Sequence, residues 1–209
     1  MIPRTFSKIA KRRRQKKAVR AFRHFSIQPG DVVIDGGANY GRVTLRLIGT
    51  GARIEAYEPN PAAFEHLSKA FGQHPQVNCI RKGLSDHNGT AKLYLHHRSE
   101  QDSLHYSEAS SLIRDKWNIS RDNAVEIELV DIADVVNAID DQIRLLKLDI
   151  EGGEYTVLDR LLDTGLIHRI DQVFCETHEL KIPSLRNETA KLRQRLAREN
   201  ITHVNLDWV

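Results

Sequence analysis

The sequence predicts an α/β fold: a mostly parallel sheet with helices on both faces, and an antiparallel hairpin inserted into it. Three observations predict it. From residue 31 onward, short apolar runs alternate with longer segments whose apolar residues recur at helical spacing. Strands that alternate with helices in this way pair in parallel. The helical segments carry start and stop residues, such as Asn60 and Pro61 before one and Gly72 after it. Finally, segments 91–97 and 125–131 alternate apolar and polar residues with period two, as strands with one exposed face do.

Each element follows in order. "DVVIDGG" (31–37) is a buried strand, and "RVTLRLIG" (42–49) a helix closed by Gly49 and Gly51. "RIEAYEP" (53–59) is the second strand, and "NPAAFEHLSKAFG" (60–72) the helix after it. "VNCIRKG" (77–83) is the third strand. "AKLYLHH" and "VEIELVD" form the hairpin. The polar, serine-containing connection 98–124 between them is too long for a simple turn and predicts a lid. "IRLLKLDI" (143–150) resumes the parallel sheet. "GEYTVLDRLLDTG" (153–165) is a helix with Tyr155, Leu158, Leu161 and Leu162 on one face. "DQVFCETH" (171–178) is a strand, residues 184–200 the last helix, and "ITHVNLDWV" (201–209) the closing strand.

Composition bounds the function. The hydrophobic fraction is 40% and the charged fraction 28% over 209 residues, which suits a globular domain with an extension. No apolar stretch approaches the ~20 residues that span a bilayer. The two cysteines, Cys79 and Cys175, each sit in an apolar run, so buried free thiols and a cytoplasmic setting are expected. The net charge of +3 is unevenly spread. Residues 1–24 hold ten of the 31 Lys and Arg and no acid, which leaves 21 to face all 28 Asp and Glu. The chain therefore divides into a basic arm, residues 1–30, and a mildly acidic domain, residues 31–209. Phe22, Phe25 and Ile27 are expected to anchor the arm on the core, leaving its N-terminal half to meet an anionic partner. Oligomeric state is not legible.

The stretch "VIDGGANYGRVTLRL" (33–47) bears most directly on chemistry. A strand that ends in glycines and opens a helix sets backbone N–H groups beside a ligand. The dinucleotide pattern G-x-G-x-x-G is absent, because Ala38 or Asn39 stands at its third position. Asp35 would also repel a pyrophosphate. A cationic, amino-acid-like cofactor suits Asp35, and Glu58 at the next strand end can take both hydroxyls of a ribose. Together they describe S-adenosylmethionine better than a nicotinamide dinucleotide.

The motifs "VIDGGANYG", "AYEPNP", "GLSDHNGTAKLYL" and "LLKLDIEGGEYTVL" resemble those of the FkbM-type S-adenosylmethionine-dependent methyltransferases, from about Asp31 to Glu179. The resemblance implies a class I, Rossmann-like methyltransferase sheet. It implies that Asp35, Gly36, Gly37, Asn39 and Gly41 cradle the methionine part. Glu58 would hold the ribose, Pro59 and Asn60 would shape the adenine edge, and Ser85 and Asp86 would meet the adenine. Asp149 would face cofactor and acceptor together. Gly36 stands where the family usually has an aliphatic residue, and Gly153 where a larger one is common. The family mostly methylates hydroxyls of sugars and related natural products.

Such a hydroxyl needs its proton taken. Asp149 and Glu151 follow one strand, Glu176 and His178 the next, and all four fall on the carboxyl side of the sheet. Asp149 or His178 is the expected base. No metal site is assigned: His96, His97 and His105 match no ligand spacing, although Asp149, Glu176 and His178 could hold a divalent cation. The acceptor is expected to be a small molecule or glycan. RNA, held by the basic arm, and a non-catalytic module on the same fold are the competing readings. Lys147, inside an apolar strand, requires an acid partner.

Overall fold

The computed structural model describes residues 4–96, 119–179 and 181–209. Its order is α1(Arg4–His24), β1(Val32–Gly36), α2(Arg42–Ile48), β2(Arg53–Tyr57), α3(Pro61–Phe71), β3(Val77–Ile80), β4(Gly83–Ser85), β5(Gly89–His96), β6(Ile119–Asp131), α4(Ile132–Asn137), β7(Ile143–Leu148), α5(Glu154–Asp163), β8(Val173–Cys175), α6(Arg186–Arg198) and β9(Val204–Asn205). Six strands form one sheet in the order β3-β2-β1-β7-β8-β9. Every pairing in it is parallel.

The apolar runs explain the layers. In β1 and β7, successive residues face opposite sides and both sides are covered. Ile34, Leu146 and Leu148 pack with α4, α5 and α6 through Val136, Leu158, Leu161 and Leu192. Val33, Leu145 and Phe174 pack on the other side with Leu47, Leu67 and Phe71 of α2 and α3. Asn60 caps α3, its side chain accepting the N–H groups of Ala62 and Ala63.

The hairpin is present but belongs to a second sheet, β4-β6-β5. β5 pairs antiparallel with β6, and β4 pairs parallel with it. β6 begins at Ile119, earlier than the period-two run suggested, so the connection expected over 98–124 is shorter at that end. Its remainder, with His97 and His105, lies outside the described residues. The strand expected over 77–83 is two strands in different sheets. The expected 171–178 and 201–209 strands shrink to Val173–Cys175 and Val204–Asn205.

α1 is one helix through the basic arm. Ala18 is buried, and Phe22, Phe25 and Ile27 join the Phe174 side of the core. The Phe22 ring meets Phe174 edge-on at 5.2 Å and lies 5.4 Å from Trp208. The helix is also tied nearer its start, where Lys11 pairs with Glu179 and Arg14 with Asp207. Among the described residues no helix is long and apolar enough to cross a membrane. Both cysteines are free thiols, Cys175 buried and Cys79 partly so.

Candidate active site

The carboxyl ends of β1, β2, β7 and β8 meet at one edge of the main sheet. The Asp149 N–H donates to the Gly36 carbonyl at 3.1 Å, and the Glu176 N–H to the Leu148 carbonyl at 2.9 Å. The ladder thus runs one residue past each strand and brings the glycine turn against the Asp149 loop.

The glycines of that turn make room for the protein itself. Gly37 has φ +72°, and a Cβ there would collide with the Asp149 carbonyl. Gly41 has φ +87°, and a Cβ there would enter the Phe71 ring. Gly36 is closed in by the side-chain ends of Leu84 and Leu148, which would have to shift for a Cβ there. At Gly153 a Cβ would stand 3.1 Å from the Ile150 side chain.

Asp35 is fully buried and turned inward. Its carboxylate accepts the Thr44 hydroxyl at 2.8 Å and lies 3.2 Å from the Lys147 ammonium. That is the acid partner Lys147 required. Lys147 also donates to the carbonyls of Gly36 and Gly37, at 3.1 and 2.7 Å. Asp35 therefore acts on the turn from beneath, through Lys147.

Glu58 joins the glycine turn to the start of α3. One carboxylate oxygen accepts the Asn39 N–H and the other the Asn60 N–H, both at 2.8 Å. Each oxygen keeps a second lone pair that can accept from a further donor. Burial pushes the Glu58 carboxyl up to about 7, against the pull of those two N–H groups and of Lys147. Asn39 holds a left-handed backbone, φ 52°, and its side chain accepts the Tyr40 N–H. Half-buried Pro59 lies between Glu58 and the capping Asn60. Ser85 ends β4, and its hydroxyl donates to Asp86 at 3.1 Å. Hydrogen bonds from His87 and Ser85 hold the Asp86 carboxyl below its usual range. The Asp86 side chain is 43% exposed and can accept from a ligand amine.

A second group lies across the Asp149 loop. His178 is 1% exposed. Its Nε2 lies 3.2 Å from Glu151 Oε2, 3.5 Å from Asp149 Oδ1 and 3.9 Å from Glu176 Oε1. Its Nδ1 faces Glu154 Oε1 at 3.1 Å. The four residues that the sequence set at two strand ends are thus neighbours. Burial pulls the His178 ring towards neutrality, but Glu151 and Glu154 prevail and push it up to about 10. Burial raises Asp149 to about 6, opposed by Lys147 and aided by Glu176. Glu151 carries a left-handed backbone, φ 56°, just ahead of Gly152 at φ +115°.

Three members escaped sequence reasoning. Glu154, fully buried, accepts the N–H groups of Ile150 and Gly152 at 2.9 and 3.0 Å. It read as an ordinary acid in the first turn of α5, and only the fold brings His178 to it. Lys181 lies 3.1 Å from Glu176. Thr44 read as one polar residue in α2. A buried polar position on a helix facing Asp35 was its only signal.

A parallel sheet with helices on both faces, a glycine turn at β1 and acids ending β2 and β7 define a Rossmann-like methyltransferase. Residues 35–201 match the family model of the methyltransferase FkbM domain, and the chain belongs to that family. No curated protein matches the chain.

Proposed function

We propose that this chain is an S-adenosylmethionine-dependent O-methyltransferase whose acceptor is a hydroxyl of a sugar, glycan or related natural product. One observation carries the reading. Three carboxylates, Asp149, Glu151 and Glu176, gather within 3.9 Å of His178 Nε2, and Asp149 belongs to the loop that touches the glycine turn. Carboxylates are acceptors only, so they suit an acceptor rich in hydroxyl donors. They would repel a phosphodiester, which disfavours RNA at this crevice.

Glu58 and Asp86 fit the ribose and the adenine amine, with Ser85, Pro59 and Asn60 around them. Gly36, Gly37, Asn39 and Gly41 shape the wall of the methionine part, supported by Asp35 and Lys147. Bound there, S-adenosylmethionine supplies a methyl carbon activated by its sulfonium. Asp149 joins the two halves of the site, and it takes the hydroxyl proton. Its side chain is 30% exposed, whereas the His178 ring is enclosed and held charged. Glu151 and Glu176 orient neighbouring hydroxyls, and His178 holds the carboxylates in place.

The test is calorimetric titration of S-adenosylhomocysteine, followed by methyl transfer to a panel of sugars. Glu58→Gln is expected to weaken binding by about 1–3 kcal/mol, since a hydroxyl then loses its charged acceptor. Asp149→Asn is expected to lower kcat by roughly 10²–10⁴ and leave binding intact. Absence of binding by the wild-type chain sinks the assignment.

A further inference from the structure

Deepening the methyltransferase reading, on which it rests, we propose that Asp149, Glu151 and His178 hold a divalent transition cation, Mn2+ or Zn2+, on which hydroxyls of the acceptor are seated.

The two separations from His178 to its carboxylates are those of a cation shell. One atom from each of the three residues lies within 4.8 Å of the others. His178 Nε2 stands 3.2 Å from Glu151 Oε2 and 3.5 Å from Asp149 Oδ1. Ligands about 2.1 Å from a common centre lie about 3.0–3.5 Å apart, for octahedral to tetrahedral angles.

The histidine gives an independent indication. Its ring is enclosed, and neither nitrogen makes a hydrogen bond of proper geometry. Glu154 faces Nδ1 and is itself pinned by two backbone N–H groups. A carboxylate behind one ring nitrogen fixes the ring's orientation, as behind metal-bound histidines, and a cation at the other nitrogen takes the place of its proton. Here that other nitrogen points at two carboxylates.

Charge completes the case. Asp149, Glu151, Glu154 and Glu176 surround one ring, while Lys181 is shared between Glu176 and Glu151, at 3.1 and 4.0 Å, and Lys147 is engaged by Asp35. Four carboxylates still outnumber the cations beside them, and a dication adds positive charge to that set. An imidazole among carboxylates favours Mn2+ or Zn2+ over Mg2+ and Ca2+, whose sites are built of oxygen alone. A hydroxyl on such an ion gives up its proton more readily. The second Asp149 oxygen is placed to take it.

The test uses the metal-stripped full-length protein, titrated with MnCl2 and separately with ZnCl2, with Mn2+ spin resonance as a second readout. One ion per chain is expected, with Glu151→Gln weakening it at least tenfold and His178→Gln abolishing it. Glu154→Gln, which removes no ligand atom, is expected to weaken it roughly 10–100-fold. Titration of S-adenosylhomocysteine into the same variants reports folding. If that ligand binds and neither ion does, the cation site is overturned and the methyltransferase reading survives. If the ion binds and the ligand does not, the methyltransferase reading falls and the cation site stands. Ion binding undiminished in both Glu151→Gln and His178→Gln also overturns the site.

Discussion

The Lys147 ammonium lies 3.2 Å from the Asp35 carboxylate, both side chains are almost wholly buried, and the two residues are register partners on β1 and β7. An ion pair so enclosed is costly to break. Removing one partner strands a charge in the core, at about 3–5 kcal/mol. Asp35→Asn and Lys147→Met should each lose that much stability in urea denaturation. The double substitution Asp35→Leu with Lys147→Met should recover most of it, because neither charge remains. It should still weaken S-adenosylhomocysteine binding, because the carbonyls of Gly36 and Gly37 lose their common donor. Additive losses in the double variant would show that the pair is not the origin.

Glu58 sets a pH dependence of its own. Its carboxyl is raised from 4.5 to about 7 in the folded chain. For a raised group, the stabilising contribution is fully present below the unfolded value and is lost as pH rises through the folded one. The melting temperature of the wild type, relative to Glu58→Gln, should therefore fall between pH 5 and pH 8. Cofactor-product affinity should move the opposite way. Two hydroxyls need the ionised carboxylate, so S-adenosylhomocysteine binding should strengthen roughly tenfold from pH 6 to pH 8. Glu58→Gln should flatten that rise, and equal slopes in both proteins would remove Glu58 from the ribose.

Gly37 and Gly30 form a matched pair. Both have positive φ, +72° and +89°. A Cβ at Gly30 meets nothing within 4 Å, whereas at Gly37 it strikes the Asp149 carbonyl. Gly30→Ala should cost only the backbone strain of about 1–2 kcal/mol. Gly37→Ala adds a collision with main chain, so it should lower the melting temperature further and disturb both halves of the site. Equal melting temperatures would show that the β1 and β7 loops can part freely.

The sequence makes the parallel sheet legible because strands buried on both faces leave near-continuous apolar runs, as in β1 and β7. It makes the strand-end acids legible for the same reason: each closes such a run. The second sheet is less visible, since nothing local in "VNCIRKGLS" shows that Ile80 and Gly83 enter different sheets. α4 hides because "IADVVN" is too short to display helical period. Side-chain direction is the larger gap. Asp35 lies in the right turn, yet only the register with Lys147 turns it inward. Glu154 and His178 are far apart in sequence, so their contact belongs to the packing of α5 beside β8.

The basic arm offers the last test. Arg12, Lys16, Arg20 and Arg23 line one side of α1 around a cavity of about 610 Å³ that also touches Val209. These cations are exposed, while Lys11 and Arg14 hold the helix to Glu179 and Asp207. Deleting residues 1–17 would remove both ties together with part of the charge, so substitution separates the effects better. Replacing Arg12, Lys16, Arg20 and Arg23 by alanine should leave the fold and S-adenosylhomocysteine binding unchanged, because alanine keeps the helix and the ties remain. It should weaken binding to a polyanion such as heparin at low salt. The difference from wild type should fade as salt rises, since the Debye length falls to about 8 Å near 0.15 M and exposed charges lose their reach. Equal heparin affinity at low salt would reduce the stripe to a solvated helix face.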